Sequence, residues 1–188
     1  MARVTVRDLS ISGRRVFVRV DFNVPIQNGH VTDNSRIVAA LPTIQYILTN
    51  GGSVVAASHL GRPKGTGLEE AYSMKPVVAE LANLLDAPVT LAPAVCGEPV
   101  ESMLKGCQPG SVLVLENLRF EAGEKKGSED FAARLRRLAD LYVNDAFGTS
   151  HRGDASVSAL AKLFDQPAAG LLMEREIHYF EDVLGNPE

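Results

Sequence analysis

Short, almost wholly apolar runs recur along this chain, and they leave it few folds to adopt. Residues 54–58 read VVAAS and residues 112–116 read VLVLE. A strand with one wet face alternates apolar and polar residues. A run without alternation is buried on both faces, as in a parallel sheet held between helical layers. On this pattern strands are expected at Arg15–Val20, Ser53–Ser58, Val89–Ala92, Ser111–Glu116 and Leu141–Asp145, with a sixth at Ala169–Met173.

Helical spacing fills the gaps. Ile37, Ala40, Leu41, Ile44, Ile47 and Leu48 stand three and four apart in Asn34–Asn50, with Asp33 or Asn34 to cap the start and Gly51 the end. Pro42 is expected to kink this helix or open a second segment. Ser73–Leu85 begins with a cap and Pro76 in the first turn, and Ser128–Leu138 runs from acids to arginines, as the helix dipole favours. Ser156–Phe164 reads as a shorter helix, and Met173–Leu184 as one stopped by Gly185 and Pro187. Gly61–Gly67 reads as a mobile loop and Gly123–Gly127 as an exposed turn. The β-α alternation predicts an α/β three-layer sandwich, a Rossmann-like parallel sheet with helices on both faces.

Composition narrows the function. The 188 residues suit one good-sized domain, and no run of about 18 apolar residues offers a membrane span. The N-terminal MARVTVRDLS lacks the apolar stretch of a secretory signal. Cys96 and Cys107 are expected as free thiols in a reducing cytoplasm, and the four histidines make no metal-ligand spacing with them. A formal charge of −4 and the lack of Trp argue against nucleic acid as the main partner.

Against that acidic background, cationic groups stand just beyond predicted strands: Arg36, His59, Arg62, Arg119 and Arg152. Loops leaving the carboxyl ends of parallel strands meet at one crevice, so these residues can surround one small anion. Guanidinium matches phosphate with paired hydrogen bonds. Gly61 permits close backbone approach beside His59, Leu60 and Arg62. Asp21 and Asn23, flanking Phe22, can hold a hydroxyl or simply complete an Asx turn toward Pro25. Arg36 opens a helix, where a cation opposes the dipole unless a site requires it. Arg19, inside an apolar strand, is expected to be a paired structural cation, and His151 is either a site or a loop-packing residue. No GxxxxGK[ST] phosphate loop and no GxSxG elbow occurs.

The motifs RVDFNVP, SHLGRPKG, LENLRF and NDAFGTSHR, in this order and with the RIVAALPTI helix start, resemble phosphoglycerate kinase. The resemblance runs from about residue 3 to residue 187 and covers the N-terminal of that family's two domains. It implies a substrate domain over residues 1–172 and an interdomain helix over 173–188, with the nucleotide domain outside this chain. It implies reversible phosphoryl transfer between ATP and the carboxylate of 3-phosphoglycerate, giving 1,3-bisphosphoglycerate. By that resemblance Asp21 and Asn23 hold the glycerate hydroxyl, while His59, Arg62, Arg119 and Arg152 hold the 3-phosphate. Arg36 faces the carboxylate and the phosphoryl group in flight, Leu60 and Gly61 line the loop, and His151 supports. Mg–ATP would bind the other domain of the same polypeptide, this chain holding neither nucleotide nor metal. A cytoplasmic monomer, inactive as this half alone, is the corresponding expectation. A non-catalytic anion-binding or regulatory α/β module is the alternative.

Overall fold

The computed structural model describes residues 4–185, with side chains up to Glu181. In chain order come β1 (Arg15–Arg19), the hairpin β2 (Ile26–Gln27) and β3 (His30–Val31), α1 (Ser35–Thr49), β4 (Ser53–Ala57), α2 (Lys75–Leu84), β5 (Val89–Leu91) and α3 (Glu98–Gly106). Then follow β6 (Val112–Val114), α4 (Ala122–Lys125), α5 (Glu129–Arg136), β7 (Leu141–Asn144), β8 (Ala168–Ala169) and α6 (Leu171–Gly185). The main sheet has six strands in the order β5-β6-β4-β1-β7-β8. Every pair in it is parallel.

The unbroken apolar runs do what their pattern requires. Val16 and Val18 of β1, Val54 and Ala56 of β4 and Val112 and Val114 of β6 face one core with Ile37, Ile44 and Ile47 of α1 and Val77 and Leu81 of α2. Their neighbours Phe17, Val55 and Leu113 face a second core with Val100 and Leu104 of α3 and Phe131 and Leu135 of α5. The fold is therefore the expected α/β arrangement, a Rossmann-like parallel sheet covered by helices on both faces.

Several local expectations give way to tertiary contacts. Pro42 does not divide α1, which is one helix. The cap at its start is looser than expected: Asn34 makes no capping bond, and Asp33 instead accepts from Ser35 N at 2.9 Å. No helix forms over Ser156–Phe164; turns lead to a 3-10 segment at Ala161–Leu163. The reason is that the Ser156 carbonyl, needed for a helical bond, accepts from Tyr142 Oη at 2.9 Å instead. The sixth strand is only Ala168–Ala169, and α6 starts at Leu171, ahead of the expected boundary. Here Leu171 N donates to Thr43 Oγ1 at 2.9 Å, while Leu172 N and Met173 N donate to Asp145 Oδ1 at 3.0 and 3.1 Å. Those bonds satisfy the first amides of a helix, so it can begin directly after the strand. The helix ends at Gly185. Pro187, read as part of its stop signal, lies outside the described residues.

The strand order sets the position of the crevice. From β1 the chain crosses to β4 on one side, whereas from β7 it passes to β8 on the other. The carboxyl ends of β1 and β7 thus flank a topological switch point, where open α/β sheets place their ligands.

Candidate functional site

Four neighbouring strands, β6, β4, β1 and β7, deliver the basic residues to one end of the sheet. His59 follows β4 and lies at the centre, only 3 % exposed. Its pKa is pushed down to about 3 by burial and then by the fields of Arg19, Arg119, Arg152 and Arg36. Those arginines come from four separate segments, so their shared action on one imidazole places them around a common point. Arg152 also depresses Arg119, whose pKa falls first through burial. Residue 59 is therefore not one of the site's cations, as the sequence suggested; it is neutral. Arg19 Nη2 lies 3.4 Å from His59 Nδ1. Guanidinium can only donate, so a hydrogen bond here requires Nδ1 to accept, with the imidazole proton on Nε2.

The loops are braced from within. Asn117 is fully buried behind the LRF turn. Its Oδ1 accepts from Leu60 N at 3.2 Å and Arg119 N at 3.1 Å, and its Nδ2 donates to Leu60 O at 2.7 Å and Tyr72 O at 3.0 Å. Arg119 Nη1 donates to Gly61 O at 2.9 Å, joining the loops after β4 and β6. Gly61 has φ +58°, and a Cβ there would stand 2.6 Å from the Tyr72 ring, so both conformation and space demand glycine. The 61–67 stretch, expected to be mobile, is tied to the Arg119 segment by Gly67 N donating to Phe120 O at 3.0 Å.

On the β1 side, Asp21 Oδ1 accepts from Asn23 N at 3.2 Å, so the Asx turn is present. Asp21 Oδ2 meets Arg36 Nη1 at 2.7 Å, while Asn23 Oδ1 accepts from Gly61 N at 2.8 Å. The Arg36–Asp21 pair is half open to solvent, a setting where such pairs contribute about 0–1 kcal/mol. It therefore does little for stability, and Arg36 can exchange partners at little cost. Asp21 and Arg36 also line a cleft with Asp145, Phe147, Gly148 and Glu176, between the starts of α1 and α6.

Phe22 and Leu60 turn their side chains into the core, and their amides are taken by Ser58 Oγ and Asn117 Oδ1. They shape the loops rather than offer groups to a ligand. Among the described residues, the guanidinium groups of Arg62 and Arg152 have no hydrogen-bond partner within the protein, and Arg119 Nε is buried without one. Arg62 and His151 are exposed, and Arg152 is half-buried. Arg62 is not among the charges that lower the His59 pKa. It stands on the rim of the cluster rather than inside it.

A phosphoglycerate kinase family profile matches residues 6–188. The chain belongs to the phosphoglycerate kinase family. It is 50 % identical over its whole length to the phosphoglycerate kinase of Solibacter usitatus, covering 48 % of that protein. It is 47 % identical to the Arabidopsis thaliana protein named phosphoglycerate kinase 3, cytosolic, over 98 % of this chain and 46 % of that one. The solved phosphoglycerate kinase of Coxiella burnetii superposes with a TM-score of 0.87 at 34 % identity, over all of this chain and 46 % of its own. The chain thus spans about half the length of the phosphoglycerate kinases it matches.

Two residues that matter here were not singled out by sequence reasoning. Asn117 carried a signal, a side chain with donor and acceptor directly after a buried strand. Glu124 carried none, because GEKKG reads as a solvated turn. In the structure that segment is α4, and Glu124 is fully buried. Arg19, expected to be paired, makes no direct ion pair among the described residues and reaches Glu124 only through Ser156. Cys96 and Cys107 are unpaired thiols, Cys96 raised to about 11 by burial.

The neutral His59 has a thermodynamic signature. Its folded pKa lies below the ordinary value of 6.5, so the unfolded chain binds the proton first. The associated stability is present above about 6.5 and is lost as pH falls toward about 3. At about pH 5 the loss is about 2 kcal/mol, from 1.36 kcal/mol per pKa unit. Glu124 and Asp145, both raised by burial, act in the opposite sense, their penalty easing as they protonate. Denaturant melts at about pH 7 and about pH 5 should therefore show a decrement of about 2 kcal/mol in the wild type beyond that of His59→Gln. Equal decrements would mean that His59 is protonated in the folded state.

Proposed function

We propose that this chain is the acid-binding half of a phosphoglycerate kinase acting in glycolysis and gluconeogenesis. The enzyme moves the γ-phosphoryl of ATP reversibly to the carboxylate of 3-phosphoglycerate, giving ADP and 1,3-bisphosphoglycerate. What carries this reading is the convergence of Arg36, Arg119 and Arg152 around His59 at the carboxyl ends of adjacent strands. The 3-phosphate is assigned to Arg119 and Arg152, with Arg62 on the rim and the His59 Nε2–H as a neutral donor. Asp21 and Asn23 hold the hydroxyl, and His151 has a supporting place at the edge. Arg36 leaves Asp21 for the substrate carboxylate and the phosphoryl group in transit.

In such a transfer a carboxylate oxygen attacks the γ-phosphorus and ADP departs in line. Little covalent work falls to the protein; it positions the reactants and neutralises charge. Mg–ATP is the co-substrate and is assigned to the half of the enzyme beyond this chain, the C-terminal domain of the same polypeptide. Joining the two halves excludes water that would otherwise take the phosphoryl group. On this reading the isolated chain binds substrate and turns over none, and the whole enzyme is a cytoplasmic monomer.

Charged hydrogen bonds contribute about 1.5–3 kcal/mol each. Three or four of them, less an association cost of at least about 4 kcal/mol, leave a dissociation constant in the roughly micromolar to millimolar range. Isothermal calorimetry should detect binding of 3-phosphoglycerate in that range, with no ATP consumption. Absence of heat at millimolar ligand would remove the assignment.

A further inference from the structure

Behind the basic cluster lie three fully buried polar side chains that the phosphoryl-transfer reading does not use: Arg19, Glu124 and Ser156. They form a directed line. Ser156 N donates to Glu124 Oε2 at 3.0 Å and Ser156 Oγ donates to Glu124 Oε1 at 2.6 Å. The Ser156 hydroxyl has then committed its proton, so it accepts from Arg19 Nε, at 2.9 Å. Arg19 Nη1 donates to Val20 O, and Nη2 faces His59 Nδ1 at 3.4 Å. The guanidinium only donates, so the Arg19–Ser156 bond has one direction, and with Glu124 ionised the Ser156 hydroxyl points at the carboxylate.

We infer that Ser156 and Glu124 are positioning residues that orient Arg19 and thereby fix His59 as the tautomer presenting Nε2–H to the bound anion. A buried Arg and Glu serving stability alone would be expected to pair directly and bidentately. Here the contact is routed through a hydroxyl on the Arg152 loop. Ser156 follows Arg152 by four residues, and Glu124 follows Arg119 by five. One hydroxyl therefore ties together the end of β1 and the segments after β6 and β7. Tyr142 Oη holds the Ser156 carbonyl at 2.9 Å, so the anchor itself is fixed. The identity of the anion rests on the function proposed above; the tautomer does not.

The test is the imidazole nitrogen NMR spectrum of isotope-labelled chain, first without ligand. The charged groups acting on His59 are Arg19, Arg119, Arg152 and Arg36. Buried, in their field and facing the Arg19 donor, His59 should be a single Nε2–H tautomer that does not titrate between about pH 5 and about pH 8. In Ser156→Ala the two tautomers should mix. The dissociation constant for 3-phosphoglycerate should then rise about tenfold, the loss of one well-aimed charge-assisted bond. A wild-type His59 protonated on Nδ1, or an imidazolium at neutral pH, overturns the relay whatever the variant does. So does a folded Ser156→Ala chain with wild-type tautomer and affinity. The tautomer is read without ligand, so it decides the relay even if 3-phosphoglycerate fails to bind.

Discussion

Arg152→Ala is expected to weaken binding of 3-phosphoglycerate by about 10–100-fold, from a loss of about 1.5–3 kcal/mol in charged hydrogen bonds. Arg152 is half-buried beside Arg119 and His59, and its guanidinium has no hydrogen-bond partner among the described residues. Among the described residues nothing competes with a ligand for those donors, so truncation removes ligand contacts and little else. Lys64 is the control. It lies in the 61–67 loop, exposed, and only its backbone N is engaged, by Glu69. Lys64→Ala should change affinity by less than about twofold, since an exposed charge acts through screened solvent. Arg62→Ala should fall between, because Arg62 sits on the rim. Calorimetry on the three variants at one ionic strength decides the matter. Equal losses would mean diffuse attraction to a basic surface and would sink the built pocket.

The contrast between these residues explains what the sequence could disclose. Apolar runs such as VVAAS report burial on both faces directly, because no polar side chain interrupts them. Parallel pairing then places all strand ends together, so Arg119, His59 and Arg152 could be grouped without coordinates. The β2–β3 hairpin is equally legible. Asn28-Gly29 is its turn, with φ +51° and +77°, the backbone such dipeptides favour. Helix α3 was signalled too, by Pro99 near its start and by Val100, Met103 and Leu104 at helical spacing. The rest was not written locally. Residues 156–164 have helical spacing, yet Tyr142, Glu124 and Arg19 claim the Ser156 groups from far along the chain. The charge state of His59 depends first on its burial and then on four arginines, and no spacing encodes either. Glu124 looks like a surface acid until α4 is placed against the Arg152 loop.

Gly170→Ala should be the most damaging single methyl group in the described chain. A Cβ at Gly170 would overlap the Asp145 carboxylate and stand 2.7 Å from Asp145 Cβ. Neither residue can yield freely. Gly170 N donates to Asn144 O at 2.9 Å, and Asp145 Oδ1 caps Leu172 and Met173. Overpacking of this kind costs about 1–3 kcal/mol and loss of a helix cap about 0.5–2 kcal/mol, so about 2–5 kcal/mol of stability is at risk. For a domain of this size the melting temperature should fall by roughly 4–20 °C. The cause can be separated from a general intolerance of alanine by a double-mutant cycle with Asp145→Gly. Removing the carboxylate removes the overlap, so Gly170→Ala should cost much less on that background, and strictly additive costs would refute the clash. Asp145 directly follows β7 and opens the loop that carries Arg152. The cap of α6 and the proposed phosphate site therefore share one anchor. Whatever displaces that carboxylate should disturb the start of the helix and the placement of Arg152 together.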